Sequence, residues 1–73
     1  MDDLTPLALA ARDGDRLALT AFIRAAQPDV WRYCAHFGST ADADDLTQEV
    51  FIRAIGALSS FRGQSSVQTW LLT

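Results

Sequence analysis

Several residue types that support particular protein functions are nearly absent from this chain of 73 residues. It has one cysteine, Cys34, and one histidine, His36, whereas a structural zinc site takes about four such ligands and a disulfide takes two cysteines. It has no lysine, and nine acids outnumber its six arginines, which gives a net charge of −3. A general nucleic-acid-binding surface is basic. The composition therefore excludes a disulfide, predicts no metal site and limits any DNA contact to a local one.

Long apolar runs and a basic N-terminal segment are also missing. No stretch approaches the ~18 apolar residues of a membrane span, and the start Met1-Asp2-Asp3 lacks the positive charge of a secretory signal. We therefore expect no membrane segment and a reducing, cytoplasmic setting. A chain this short buries only about 60% of the surface that its unfolded form exposes, so we expect one small domain with a marginal core.

The apolar pattern is helical throughout, and the sequence predicts an all-α fold: a small bundle of about four helices with the last one truncated. Thr5-Pro6 is the start signal of a short first helix that Gly14 ends. Asp15 is suited to cap the second helix, in which apolar residues recur every three or four positions. Pro28 removes a backbone donor inside this helix, so we expect one bent helix. Its predicted inward residues are Leu19, Phe22, Ile23, Ala26, Val30, Tyr33, Cys34 and Phe37.

A third helix is predicted from Asp42 to Leu58, and a fourth opens at Val67 after a polar loop. The start signal of each resembles a capping box: Ser39 with Asp42 for the third helix, and Ser65 with Gln68 for the fourth. The predicted inward stripe of the third helix is Leu46, Val50, Phe51, Ala54, Ile55 and Leu58.

The face opposite that stripe is not explained by the core. Four acids fall between Asp42 and Glu49, and the helix dipole, which favours anions in the first turn by ~0.3–1 kcal/mol each, accounts for Asp42 and Asp44 better than for Asp45 or Glu49. The face carries Asp45, Gln48, Glu49, Ile52, Arg53 and Gly56. A lone exposed apolar residue such as Ile52 is ordinary, but one ringed by charges is also typical of a partner-binding patch.

The remaining candidates are weaker. Residues Phe61–Ser66 combine an aromatic, an arginine and small polar groups, which hold unstacked bases in other proteins, although many surface loops have this composition. We expect Trp70 in the core first and at a ligand second, Trp31 at the edge of the apolar stripe or against the first helix, and His36 at the core edge. No nucleophile has a base and an acid in a catalytic arrangement, so the sequence predicts neither an enzyme nor a cofactor.

Two segments carry a family resemblance. The first runs from Asp42 to Ala54 and contains Leu-Thr-Gln-Glu-Val-Phe, and the second runs from Phe61 to Leu71 and contains Phe-Arg-Gly and Thr-Trp-Leu. In this order and at this spacing, the chain resembles region two of bacterial RNA polymerase sigma factors of the extracytoplasmic-function group. A weaker match from Ala11 to Tyr33 extends the resemblance over nearly the whole chain.

The resemblance implies a transcription initiation module that docks on core RNA polymerase and takes part in minus-ten promoter recognition and DNA melting. In the family, the helix matching Asp42–Leu58 docks on the clamp coiled coil of the largest catalytic subunit. The implied polymerase-binding residues are Asp45, Gln48, Glu49, Ile52 and Arg53. The following loop holds a base flipped from the non-template strand, and the implied DNA-binding residues are Phe61, Arg62, Gly63, Gln64, Ser65, Ser66 and Trp70.

The family's next segment is basic and completes the promoter-binding helix. The resemblance therefore implies that residues 1–73 form a domain incomplete at its C-terminus, which binds promoter DNA weakly or not at all by itself. An anti-sigma factor is a further implied partner. The alternative is a helical interaction domain held by an anti-sigma or other regulatory protein. A helix-turn-helix DNA reader is disfavoured, because such a reader presents basic or amide side chains and the third helix is acidic.

Overall fold

Four α-helices form the fold in the computed structural model, which describes residues 3–72. They are α1 Thr5–Arg12, α2 Arg16–Phe37, α3 Ala43–Ala57 and α4 Val67–Leu71, with a 3₁₀ turn at Leu58–Ser60. This part of the chain contains no strand, and the predicted all-α fold is confirmed. None of the helices described is long and apolar enough to cross a membrane.

The first two helices begin and end close to the positions that the sequence predicts. Gly14 follows α1 with φ +104°, a backbone angle that glycine adopts without steric cost. The Oδ1 atom of Asp15 then accepts a hydrogen bond from the backbone N–H of Ala18 at 3.0 Å and caps α2. Pro28 lies inside α2 without ending it, so the prediction of one helix that continues past Pro28 is confirmed.

The helices α2 and α3 pack as an antiparallel pair. Near one end, the buried rings of Phe22 and Phe51 meet edge to face, with centroids 6.5 Å apart. Near the other end, Nε1 of Trp31 donates to Oδ1 of Asp44 at 2.8 Å. The core that these helices share with the rest of the chain is Leu4, Ala8, Phe22, Ala26, Val30, Cys34, Ala43, Phe51, Leu58, Phe61 and Val67.

The structure corrects the predicted inward faces at four apolar positions. The exposed fractions are 41% for Tyr33, 72% for Phe37, 37% for Leu46 and 43% for Ile55. In α3 the buried line runs instead through Ala43 and Thr47, which are small enough to let α2 and α3 approach closely, and the larger neighbours are turned outward. Phe37 ends α2, so no later turn of that helix covers it. His36, predicted at the core edge, is exposed.

Both predicted capping boxes differ from the observed helix starts. The Oγ of Ser39 accepts from the N–H of Asp42 at 3.3 Å in a turn before α3, and the helix itself begins one residue later. The cap of α4 is Ser66, whose Oγ accepts from the N–H of Thr69 at 3.2 Å. The Oε1 of Gln68, predicted to complete the box with Ser65, accepts from the N–H of Leu4 at 3.4 Å.

We expect Asp15→Ala to lower the free energy of unfolding by about 1 kcal/mol, since it removes the side-chain cap of α2. The measurement is urea unfolding followed by circular dichroism. Asp15→Asn is the matched control, because it keeps a capping oxygen and removes the charge. If both variants lose the same free energy of unfolding, the effect comes from the charge of Asp15, and the capping role is contradicted.

Candidate functional site

The five residues predicted to bind polymerase lie together on the solvent side of α3. All five are exposed, and we call them the acidic face: Asp45, Gln48, Glu49, Ile52 and Arg53. Ile52 is 71% exposed at its centre. Nη2 of Arg53 donates to Oε1 of Glu49 at 2.9 Å across one helical turn. An exposed pair of this spacing contributes only about 0.3–0.5 kcal/mol, so it orients these side chains and does little for the fold.

The acids at the start of α3 divide into two groups. Asp44 accepts from the indole of Trp31, and Asp42 accepts from the hydroxyl of Ser39 at 3.0 Å, so both have partners within the fold. Among the hydrogen bonds and ion pairs of residues 3–72, none involves Asp45, which is exposed. The unpaired acid is therefore the one that lies on the acidic face, where its charge is available to a partner.

A groove of about 520 Å³ between α2 and α3 continues the acidic face. Gln48 and Ile52 form one wall, and Gln27 and Trp31 of α2 form the other. Sequence reasoning missed this contribution of α2, because Gln27 follows no pattern that separates it from an ordinary surface residue. The outward position of Ile55, which also lines the groove, extends the apolar part of the surface beyond Ile52.

The polar loop, which we define as Phe61–Ser66, is buried at its first residue and exposed over the rest. Residues 62–66 are all exposed, and Gly63 has φ +72°, in the region that favours glycine. Phe61 is 3% exposed, and its ring packs on that of Trp70 with centroids 5.1 Å apart. The predicted DNA-binding residues are thus close together, but Phe61 supports the loop from the core and is not available to stack on a base.

A second, more apolar groove of about 660 Å³ lies between α2, α3 and the end of α4. The apolar side chains that line it include Tyr33, Phe37, Leu46, Val50, Trp70 and Leu71. Glu49 and Arg53 of the acidic face lie on its rim. Exposed apolar area of this kind commonly marks a contact with another chain or segment.

Comparison with known proteins identifies the family. The family model described as Sigma-70 region 2 matches residues 22–73. The chain belongs to the sigma-70 region 2 family. Both the acidic face and the polar loop lie inside the matched residues. Sigma factors are initiation factors without enzymatic activity, so the prediction that the chain is not an enzyme agrees with its family.

The similar proteins are RNA polymerase sigma factors, and several of them are described as extracytoplasmic-function (ECF) factors. The probable RNA polymerase sigma-C factor of Mycobacterium bovis is 55% identical over 69 residues, which cover 94% of this chain and 37% of that protein. The ECF RNA polymerase sigma-E factor of Escherichia coli K12 is 36% identical over 72 residues, which cover 96% of this chain and 38% of that protein. The chain therefore spans little more than a third of the length of these relatives.

Two glycine substitutions test the backbone of the polar loop. We expect Gly63→Ala to lower the free energy of unfolding by roughly 1 kcal/mol, because a left-handed angle costs an L-residue about 1–2 kcal/mol. Its new Cβ would lie 3.7 Å from the side chain of Leu9, which is ordinary contact, so the cost comes from the backbone angle.

Gly56→Ala is the matched control. Gly56 lies in α3, and no atom outside its chain neighbours and the local backbone of α3 lies within 4 Å of the position that a Cβ on it would take, so this change is expected to raise the free energy of unfolding by about 0.5–1 kcal/mol. Urea unfolding of both variants measures the difference. Stabilisation by Gly63→Ala of the same size would show that the loop does not require its left-handed turn.

Proposed function

We propose that this chain is the part of a transcription initiation factor that docks on core RNA polymerase and takes part in minus-ten promoter recognition and melting. The observation that carries the proposal is the acidic face. Its five residues are exposed together within the stretch that matches the family, and the core of the fold does not require them. A factor of this kind would act in the cytoplasm, where the polymerase is found.

The proposed contact of the acidic face is the clamp coiled coil of the largest polymerase subunit. Burying an isoleucine side chain fully contributes about 1.5–3 kcal/mol, so Ile52 supplies an apolar anchor. Asp45 and Glu49 favour a basic partner and set the register of docking, since complementary charges contribute to specificity and association rate. The groove beside this face adds Gln27 and Trp31 of α2 to the surface that the partner would meet.

The proposed DNA contact is the polar loop. Arg62, Gln64, Ser65 and Ser66 present exposed donors and acceptors, the chemistry that reads a base outside the helical stack. Trp70 is half-buried beside them, and its exposed part offers a surface next to the base. The net charge of −3 gives little general attraction for DNA, so the loop would act on DNA that the polymerase already holds.

We propose in addition that the domain of residues 1–73 continues into a further helix that covers the apolar groove. Trp70 and Leu71 at the end of α4 already lie on the wall of this groove, so a continued helix would run along it. The similar sigma factors extend well beyond the matched residues, which leaves ample chain for such a segment.

Binding of this chain to the isolated clamp coiled coil, measured by calorimetry, tests the docking proposal. We expect Gln48→Ala/Glu49→Ala to bind at least about tenfold more weakly, because hydrogen bonds to charged groups contribute ~1.5–3 kcal/mol each. Arg16→Ala/Thr20→Ala, at two exposed polar positions near the start of α2, is the control and should bind like the unchanged chain. Circular dichroism first establishes that all three chains are helical.

Equal binding by the double variant and the unchanged chain would contradict the assignment of the acidic face. If the folded, unchanged chain does not bind, the same titration with a chain extended past residue 73 separates two explanations. Binding by the extended chain would mean that later residues are required. Continued failure would favour the alternative, a helical domain held by an anti-sigma or other regulatory protein.

The groove proposal makes a separate prediction. A chain extended by the next helix is expected to unfold at a higher temperature and to self-associate less than residues 1–73, because the added helix would bury the apolar side chains of the groove. Thermal unfolding and sedimentation equilibrium measure the two effects. Phe37→Ser in the short chain is the control, since it should reduce self-association without raising stability. An extension that changes neither property would assign the groove to another protein.

A further inference from the structure

The first helix touches both ends of the polar loop. Nη1 of Arg12, the last residue of α1, donates to the backbone carbonyl of Phe61 at 3.0 Å. Oγ1 of Thr5, the first residue of α1, accepts from the backbone N–H of Val67 at 3.0 Å. The side chain of Leu9, between them, lies 3.7 Å from the position that a Cβ on Gly63 would take. One short helix therefore contacts the beginning, the middle and the end of the loop.

The contact at the beginning of the loop comes from a guanidinium that is held in place. The side chain of Arg12 is 31% exposed, and its Nε donates to Oδ1 of Asp13 at 3.1 Å. This second contact aims the Nη1 atom at the carbonyl of Phe61. A hydrogen bond from a charged donor is stronger than one between neutral groups, so Arg12 fixes the direction in which the chain leaves the 3₁₀ turn.

The contact at the end of the loop is made by a hydroxyl that is itself oriented. Oγ1 of Thr5 donates to Oδ1 of Asp3, and the backbone N–H of Thr5 donates to the same oxygen at 3.0 Å. These bonds, the hydroxyl first, hold the pKa of the Asp3 carboxyl below its usual value. The hydroxyl proton is thereby directed to Asp3, which leaves the oxygen lone pairs for the N–H of Val67, one of the N–H groups that a helix start leaves without an internal partner.

We propose that α1 positions the polar loop for the unstacked base, with Arg12 and Thr5 as positioning residues that do not touch DNA themselves. The inference rests on the proposed DNA-binding role of the loop. The helix precedes residues 22–73, the part of the chain that matches the family, so the match assigns no role to it. Between its two tied ends, the loop has five exposed residues, and the side chain of Leu9 lies 3.7 Å from the position that a Cβ on Gly63 would take.

The energetic reason is preorganisation. Ordering a loop during binding reduces affinity, and a loop already held in its bound shape avoids that loss. Release of the Phe61 carbonyl would free the start of the loop while Ser66 still caps α4. The helical fold would persist, and the loss of affinity would appear when the loop binds a base.

The test uses holoenzyme reconstituted from core polymerase and the complete factor that carries this chain. The sequence of the minus-ten segment is first selected by the unchanged holoenzyme from a randomised pool of DNA. The probe is then a forked DNA duplex that carries a fluorescent base analogue in this single-stranded segment. Arg12→Ala is expected to weaken binding of the fork by about tenfold and to reduce the fluorescence change. Its affinity for core polymerase should not change, because the acidic face is untouched.

Two further variants separate positioning from general stability. Arg12→Lys is expected to restore fork binding in part, since the lysine ammonium can supply one donor to the carbonyl of Phe61 but lacks the guanidinium geometry that also contacts Asp13. Arg24→Ala, which removes an exposed arginine of α2, is the charge-matched control and should bind the fork normally. Thr5→Val removes the hydroxyl with little change of shape and should increase amide hydrogen exchange at Val67.

The outcomes distinguish this inference from the function on which it rests. If the unchanged holoenzyme selects no DNA, the proposed function itself fails. If it binds the fork and Arg12→Ala binds equally well, only the positioning role of α1 is overturned. The positioning role is also overturned if Arg12→Ala loses fork binding, Arg12→Lys does not restore it, and binding to core polymerase is weaker as well. The residue would then act on the fold as a whole.

Discussion

The edge-to-face contact between Phe22 and Phe51 is the packing interaction on which the other surfaces depend. Both rings are buried, and they join α2 to α3 within the core. Because side chains three and four positions apart share a helix face, this contact also decides which residues of α3 point outward. With Phe51 and Ala54 facing α2, Ile52 and Arg53 face solvent. The acidic face is therefore a geometric consequence of how the core packs.

The small size of the chain explains why its polar loop is tied to the core. A chain of this length buries a limited share of its surface, so residues at the two ends of the loop also contribute side chains to the core. Phe61 supplies a buried ring at the start of the polar loop, and Val67 supplies another buried side chain directly after it. The loop thus has fixed ends and an exposed middle, an arrangement that combines a defined backbone with accessible polar groups.

The sequence predicted the helices and the exposure of the acidic-face residues well, because both follow from local periodicity. It did less well where a choice depended on distant residues. Ser65 and Ser66 are equally good caps by type; Ser66 is the cap, and Gln68 bonds to Leu4, 64 residues away along the chain. The tie between Arg12 and Phe61 spans 49 residues and leaves no local signal. The roles of the loop residues came from family resemblance, since their composition alone does not separate them from an ordinary loop.

The placement of the arginines bears on the proposed contacts with polymerase and DNA. Within residues 3–72, Arg12, Arg32 and Arg53 are paired with acids of the same fold, Arg16 and Arg24 lie exposed on α2, and Arg62 is the arginine of the polar loop. Each phosphate contact contributes only one step to the salt-dependent attraction for DNA, so one loop arginine gives weak binding by itself. Asp45 and Glu49, by contrast, lie together on one exposed face of α3. The charge distribution thus supports the proposal of a domain that is first recruited by a basic protein surface and then makes a local contact with DNA.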